Sequence, residues 1–260
     1  MAELTPLPAA TVTLVRDGAQ GLEVLMMKRN MQSAFVPGRY LFPGGSVDPG
    51  DGLADIYAHC TGLTDEAASS RLGVESGGLA YWVAAIRETF EESGLLLAHS
   101  ENGVPISHEQ AAELAQHRKA VATGQLAFDT LLRDAGLNLE VASLVYFAHW
   151  ITPRGSPRRY DTRFFVAHAP VGQEPVHDNQ EMTESVWISP PEAVERHRTG
   201  KFKLMTPTIH TLRQFAEYAT ADALLAGMRA LPDVPTIAPR IGKDGRRLMP
   251  GEAGYDELAG

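Results

Sequence analysis

A chain of 260 residues, 44% hydrophobic and 21% charged, has material for one sizeable core, and no apolar run nears the roughly 18 residues that span a bilayer. A formal net charge of −9 argues against broad electrostatic binding to nucleic acid or an anionic membrane, so a polyanionic ligand needs bound cations or clustered arginines. Cys60 is the only cysteine, which excludes an internal disulfide and a thiolate metal cluster within one chain; with no basic-then-apolar leader pattern at the start, a cytoplasmic protein is expected.

Residues 11–16, "TVTLVR", and 22–29, "LEVLMMKR", flank the turn signal "DGAQG" and predict a hairpin. Residues 40–47 carry a short strand into Pro43-Gly44-Gly45. The stretch from about 52 to 79 is mixed, with short helices that "GVESGG" breaks, and reads as an insertion. "LAYWVAAIRETFEES", 79–93, spaces Leu79, Trp82, Val83, Ile86 and Phe90 at helical intervals and closes on Gly94 at a cap position.

Residues 107–122 begin with Ser107 and Gln110 in a capping-box pattern and predict one helix, and 126–136 predict another. The pair reads as a helical hairpin inserted over about 100–137. Strand character returns in "LNLEVASLVYFAHWIT", "RRYDTRFFVAHAP" and "ESVWIS", followed by helices in "SPPEAVERHRTG" and "TPTIHTLRQFAEYA". From 231 to 260 the chain is a proline- and glycine-rich tail, with "KDG" as a candidate hairpin turn.

Glu88, Glu91 and Glu92 stand at i, i+3 and i+4, on one face of the predicted helix. On an isolated helix this is usually a solvated acidic face. Here a glycine turn bearing Asp48 and Asp51, "FPGGSVDPGDG", accompanies it. Hard oxygen donors from one face suit Mg²⁺ or Mn²⁺, which complete their shells with water and substrate phosphates. Such a site fits phosphoryl chemistry on a diphosphate.

These residues resemble the box of the Nudix hydrolases, G-x5-E-x7-R-E-U-x-E-E-x-G-U, with U a bulky aliphatic residue. Gly45, Asp51, Arg87, Glu88, Glu91, Glu92, Gly94 and Leu95 match it if the box is split, residues 52–86 standing where the unbroken box has seven. Asp51 replaces the usual Glu, and Thr89 stands at the first aliphatic position. The split resembles the branch that includes the mammalian peroxisomal coenzyme A diphosphatase, a likeness continued in "HWITP" and "RRYDTRFF"; the closing "DELAG" carries no Ser-Lys-Leu-like address.

The resemblance implies a single α/β domain over 1–260, an α/β/α sandwich with a mixed central sheet and helical insertions. It further implies that Glu91 and Glu92 bind the metal, with Glu88 as another ligand, Gly45 offering its carbonyl, Asp51 a weaker carry-over and Arg87 orienting the carboxylates. A glutamate outside the box often acts as base or extra ligand in this family; Glu181 is the match by position and Glu184 its competitor.

Arg154, Arg158, Arg159 and Arg163 form a basic patch suited to a substrate phosphate, and Lys28 and Arg29 are further candidates near the glycine turn. Phe35, Tyr40, Trp150 and Tyr160 are candidates to stack on a base, with core packing the commoner job, and His149 and His168 read as ordinary strand residues. The expected activity is Mg²⁺- or Mn²⁺-dependent cleavage of a small nucleoside-diphosphate derivative. Coenzyme A or an acyl derivative is favoured, with ADP-ribose, other nucleotide sugars and dinucleotides as alternatives. A non-catalytic nucleotide-sensing module is the reading of another class, and the family's common homodimers leave the oligomeric state open.

Overall fold

The strands at the centre of the molecule are apolar on both pleat faces, which requires a helical layer on each side of their sheet. The computed structural model describes residues 4–33, 36–242 and 245–258. Strand β1 (Leu7–Gly18) turns through residues 19–20 into β2 (Gly21–Arg29), and two short strands follow, β3 (Tyr40–Leu41) and β4 (Gly44–Ser46). Further along come β5 (Ala98–Ser100), β6 (Leu137–Leu139), β7 (Val145–Ile151), β8 (Tyr160–His168) and β9 (Met182–Ile188). The tail supplies β10 (Thr236–Ile237), β11 (Arg240–Ile241) and β12 (Arg247–Leu248).

The main sheet runs β10-β7-β8-β1-β2-β3, with β4 on β1 and β9 on β2. It is mixed: β1 is parallel to β8 and antiparallel to β2 and β4. Ala10, Val12 and Leu14 of β1 join Leu25, Met27, Phe165 and Ala167 in one core, whereas Val15, Val24, Met26, Phe164 and Val166 enter the other. This period-two division makes the three-layer sandwich.

One layer is dominated by α3 (Leu79–Ser93), preceded by α1 (Ala54–Tyr57) and α2 (Asp65–Leu72) in the segment that separates the two box halves. Trp82 of α3 is fully buried, its Nε1 donating to the Leu144 carbonyl (3.3 Å) and its ring centroid 4.6 Å from that of Phe165. The preceding segment fixes where α3 starts: the Asp65 carboxylate accepts the N–H groups of Gly77 (3.0 Å) and Leu79 (2.9 Å), and Ser69 Oγ accepts that of Gly78 (2.9 Å). These are orphan donors of a helix start, satisfied from α2.

The region predicted as one helix over 107–122 is two, α4 (His108–Ala115) and α5 (Arg118–Ala122). Ser107 caps α4 as expected, but the chain turns at Gln116 and His117, and Arg118 donates to the Val176 and His177 carbonyls. Tertiary bonds override local propensity here. After α6 (Phe128–Ala135), β6 pairs with β5 in a separate two-stranded sheet that sequence patterning did not reveal.

The opposite layer holds α7 (Pro190–Arg198), α8 (Thr206–Phe215) and α9 (Ala221–Arg229). Helix α9 was not anticipated, although Thr220 caps it and Leu224, Leu225 and Met228 make a buried stripe. The tail is structured: β10 extends the main sheet beside β7, and β11 pairs with β12. Lys243 and Asp244 of the "KDG" turn lie outside the described residues. Among the described residues no helix is long and apolar enough to cross a membrane. Because Trp82 bolts α3 to the sheet, Trp82→Ala should lower stability by about 3–5 kcal/mol in urea unfolding; a loss below about 1 kcal/mol would contradict this packing role.

Candidate active site

Strand β4 approaches both β1 and α3 closely, and glycine is what permits it. At Gly44 (φ 154°) a Cβ would stand 2.4 Å from the Ala10 carbonyl oxygen and 2.7 Å from Thr11 Cα, both backbone atoms that cannot move aside. At Gly45 a Cβ would meet the Glu88 carboxylate at 2.5 Å. The box glycine therefore leaves room for the helix carboxylate that faces it.

Arg87 joins the two halves of the split box. It is 7% exposed, and its Nε and Nη2 grip Asp51 in a bidentate fork at 2.8 and 2.9 Å. Nη2 also donates to the Ser46 carbonyl (2.9 Å), while Nη1 donates to Glu88 and Glu91, each at 3.0 Å. Asp51, 2% exposed, closes a short helical turn over Pro49–Gly52, its Oδ2 accepting the Asp48 N–H (2.8 Å). Both oxygens of Asp51 are thus engaged, Oδ1 by Arg87 Nε and Oδ2 by Arg87 Nη2 and the Asp48 N–H.

The remaining carboxylates are crowded. Glu92 is 3% exposed and accepts the Gly44 N–H at 3.1 Å. Burial pushes its carboxyl well above the ordinary value, and the nearby charges of Glu88 and Glu181 add to this. Burial likewise raises Glu88 from 4.5 to about 7 against the opposing pull of Arg87, and raises Glu91. Among the described residues no three acidic, histidine or cysteine side chains already converge on one ion-sized point. Arg87 Nη1 draws Glu88 and Glu91 toward itself. The donor set still fits a hard divalent cation: buried carboxylate oxygens that raise one another's proton affinity are what such an ion relieves.

Glu181 lies close enough to Glu88 and Glu92 to raise both, and it pairs with Arg29, whose Nε donates to Ser33 Oγ (3.1 Å). Glu184 instead accepts from Lys28 Nζ (3.2 Å) and the Tyr40 hydroxyl (2.8 Å). Tyr40 stacks on Phe202 at 3.8 Å in the core of the opposite layer. The pleat alternation that sends Arg29 toward the glutamates sends Lys28 to the other face, so the structure separates Lys28 from the site.

The arginine patch is also divided. Arg159 is directed to the Thr152 (3.1 Å) and Leu4 (2.8 Å) carbonyls, and Arg158 is exposed on the loop before β8. Among the described residues Arg159 makes no bond to Glu88, Glu91 or Glu92. Arg163 is buried and donates to Asp161 (2.6 Å), which also meets His149 Nε2 (2.5 Å), while His149 Nδ1 contacts Thr236 Oγ1 (2.8 Å). His149 therefore ties β7, β8 and β10 together, and His168 sits on the surface against Asp222 (2.9 Å). Trp150 is buried with its ring edge toward His210, so Trp150 and Tyr40 are packing residues; Phe35 lies outside the described residues. Burial pushes the Cys60 thiol up to about 12, consistent with a packing role.

The raised Glu88 value has a sign that can be measured. Ionised Glu88 opposes folding, so its protonated form contributes stability that is complete below about 4.5 and lost as pH rises through about 7. In EDTA, the unfolding free energy of Glu88→Gln should therefore gain on that of the parent across this window, by on the order of 2–3 kcal/mol, and saturating Mg²⁺ should flatten the trend. A difference independent of pH would contradict the assignment.

A family model described as the NUDT19 Nudix domain matches residues 63–215, which include α3 but not Gly45 or Asp51. A Gallus gallus protein named acyl-coenzyme A diphosphatase NUDT19 is 30% identical, over 90% of this chain and 73% of its own length. The Xenopus laevis protein of that name is 28% identical, over 80% of this chain and 63% of its own length, so the chain spans less than two thirds of that relative. The crystal structure of a NUDIX hydrolase from Alicyclobacillus acidocaldarius superposes with a TM-score of 0.67 at 27% identity, covering 86% of this chain and 97% of that one. Nudix hydrolases generally need divalent metal ions. With the family model matching more than half of this chain, the chain belongs to the Nudix hydrolase family, in the group described by the NUDT19 Nudix domain.

Proposed function

We propose that the chain hydrolyses the diphosphate bond of a nucleoside diphosphate linked to a second group, with coenzyme A or an acyl-coenzyme A as substrate. The observation that carries the reading is the convergence of Gly45, Asp51, Arg87, Glu88, Glu91 and Glu92 from both sides of the intervening segment. The names of the relatives support the coenzyme A class.

In this reading Glu88, Glu91, Glu92 and the Gly45 carbonyl hold Mg²⁺ or Mn²⁺, which when bound supplies charge neutralisation and polarisation at the diphosphate. Arg87 is a positioning residue: its Nη1 sets Glu88 and Glu91, and its fork on Asp51 keeps the guanidinium in place. Asp51 is assigned the same positioning role rather than that of a ligand, since Arg87 and the Asp48 N–H occupy both of its oxygens. Glu181, half-exposed beside Glu88 and Glu92, is the group placed to take a proton from the attacking water, and Arg29 orients it. The Lys28 and Tyr40 contacts of Glu184 support this choice.

Purified protein with Mg²⁺ or Mn²⁺ should release 3′,5′-ADP from coenzyme A or acetyl-coenzyme A in preference to cleaving ADP-ribose, NADH or diadenosine polyphosphates. Preferential cleavage of another member would transfer the activity to that substrate, and silence across the panel would favour a nucleotide-sensing role. Glu92→Gln and Glu181→Gln should each lower kcat by about 10²-fold or more, and Glu184→Gln by only a few-fold. A fall with Glu184→Gln as large as with Glu181→Gln would reverse the assignment of the base.

A further inference from the structure

Away from the glutamates, a cavity of about 150 Å³ lies between the β7–β8 loop and the C-terminal segment. Arg154, Arg159 and Arg240 line it together with the Tyr255 ring, and its lining includes no Asp or Glu among the described residues. Three guanidiniums around so small a space stand out in a chain of net charge −9.

Among the described residues, carbonyls hold Arg159 and Arg240 in place. Arg159 is anchored on Thr152 and Leu4. Arg240 Nη1 donates to the Tyr255 (2.9 Å) and Leu258 (2.7 Å) carbonyls, with the guanidinium 4.2 Å over the Tyr255 ring. Among the described residues its Nε and Nη2 make no hydrogen bond. Tyr255 is itself fixed, 9% exposed, with its hydroxyl on the Ala238 carbonyl (2.7 Å). Anchored guanidiniums lose little freedom on binding an anion, and their planar forks match phosphate oxygens.

The cavity stands apart from the carboxylate site on the same sheet. The Val47 N–H bonds the Pro8 carbonyl (3.0 Å), Pro8 is in register with Asp161, and Asp161 with Ile151 on the cavity wall. Three strand spacings put Ile151 roughly 14 Å from Val47. An anion can therefore bind here without the metal.

We propose that this cavity is a binding site for a phosphomonoester, gripped by Arg154, Arg159 and Arg240. The phosphate group is either that of the substrate itself or that of a separate small ligand, and its dianionic charge with several terminal oxygens is what the three arginines recognise.

Inorganic phosphate titrated calorimetrically into the full chain in EDTA should bind at one saturable site. Arg154→Gln, on an exposed loop, should weaken that binding at least tenfold, and Arg240→Gln should do the same, with circular dichroism checking that the tail stays folded. Glu92→Gln should leave the phosphate affinity unchanged. Absence of saturable binding, or equal affinity in Arg154→Gln, would overturn the site.

The source of the phosphate is read from kinetics, an arm that rests on the diphosphatase reading. A tenfold or larger rise in KM confined to coenzyme A, with its 3′-dephospho form unaffected in Arg154→Gln, identifies the substrate's own phosphate as the occupant. Unchanged KM for both, beside lost phosphate binding, identifies a separate ligand. If the parent turns over neither substrate, the diphosphatase reading fails while the calorimetric result still decides the site.

Discussion

The bidentate bond between Arg87 and Asp51 is the interaction on which the rest of the site depends. Both partners are almost wholly buried, and a buried ion pair persists only where each remaining donor and acceptor is satisfied. That condition is met by Ser46, Asp48, Glu88 and Glu91, which are thereby placed relative to one another. One guanidinium thus connects a strand, a short helical turn and helix α3. The glutamates it faces repel one another and are raised by burial, a condition that a divalent cation reverses.

The long segment between the box halves takes part in this arrangement. Its helix α2 satisfies the first donors of α3 through Asp65 and Ser69, so the register in which α3 presents Arg87 and the glutamates is set partly from α2. Gly78 is pressed against this contact, a Cβ there falling 2.4 Å from the Ser69 nitrogen. Both ends of the interruption are pinned, one where Arg87 grips Asp51 and the other where Asp65 accepts the N–H groups that open α3. At the β7 edge of the sheet, β10 adds a strand, and the chain after it meets the β7–β8 loop around the arginine-lined cavity.

Much of this was legible in the residues. Helix α3, the hairpin of β1 and β2 and the mixed α/β character follow from apolar periodicity and turn chemistry, which act locally. The gathering of Gly45, Asp51 and Arg87 was legible only through the split box, since residues 52–86 intervene. What escaped depends on direction and on distant partners. Lys28 and Arg29 are neighbours in sequence yet lie on opposite faces of β2, Lys28 meeting Glu184 and Arg29 meeting Glu181. Arg159 belongs with Arg240 because two segments far apart in sequence converge. The break between α4 and α5 follows from Arg118 reaching carbonyls in the chain before β9.

The central claim is that Arg87, by holding Glu88 and Glu91 beside Glu92, organises a divalent-cation site, and direct ion binding tests it without reference to any substrate. Free Mn²⁺ would be followed by electron paramagnetic resonance as protein is added, for the parent, Glu91→Gln and Arg87→Lys. Saturable Mn²⁺ binding by the parent, weakened tenfold or more in both variants that keep their fold, is the predicted result. Equal Mn²⁺ affinity in all three proteins, or none in the parent, would contradict the account.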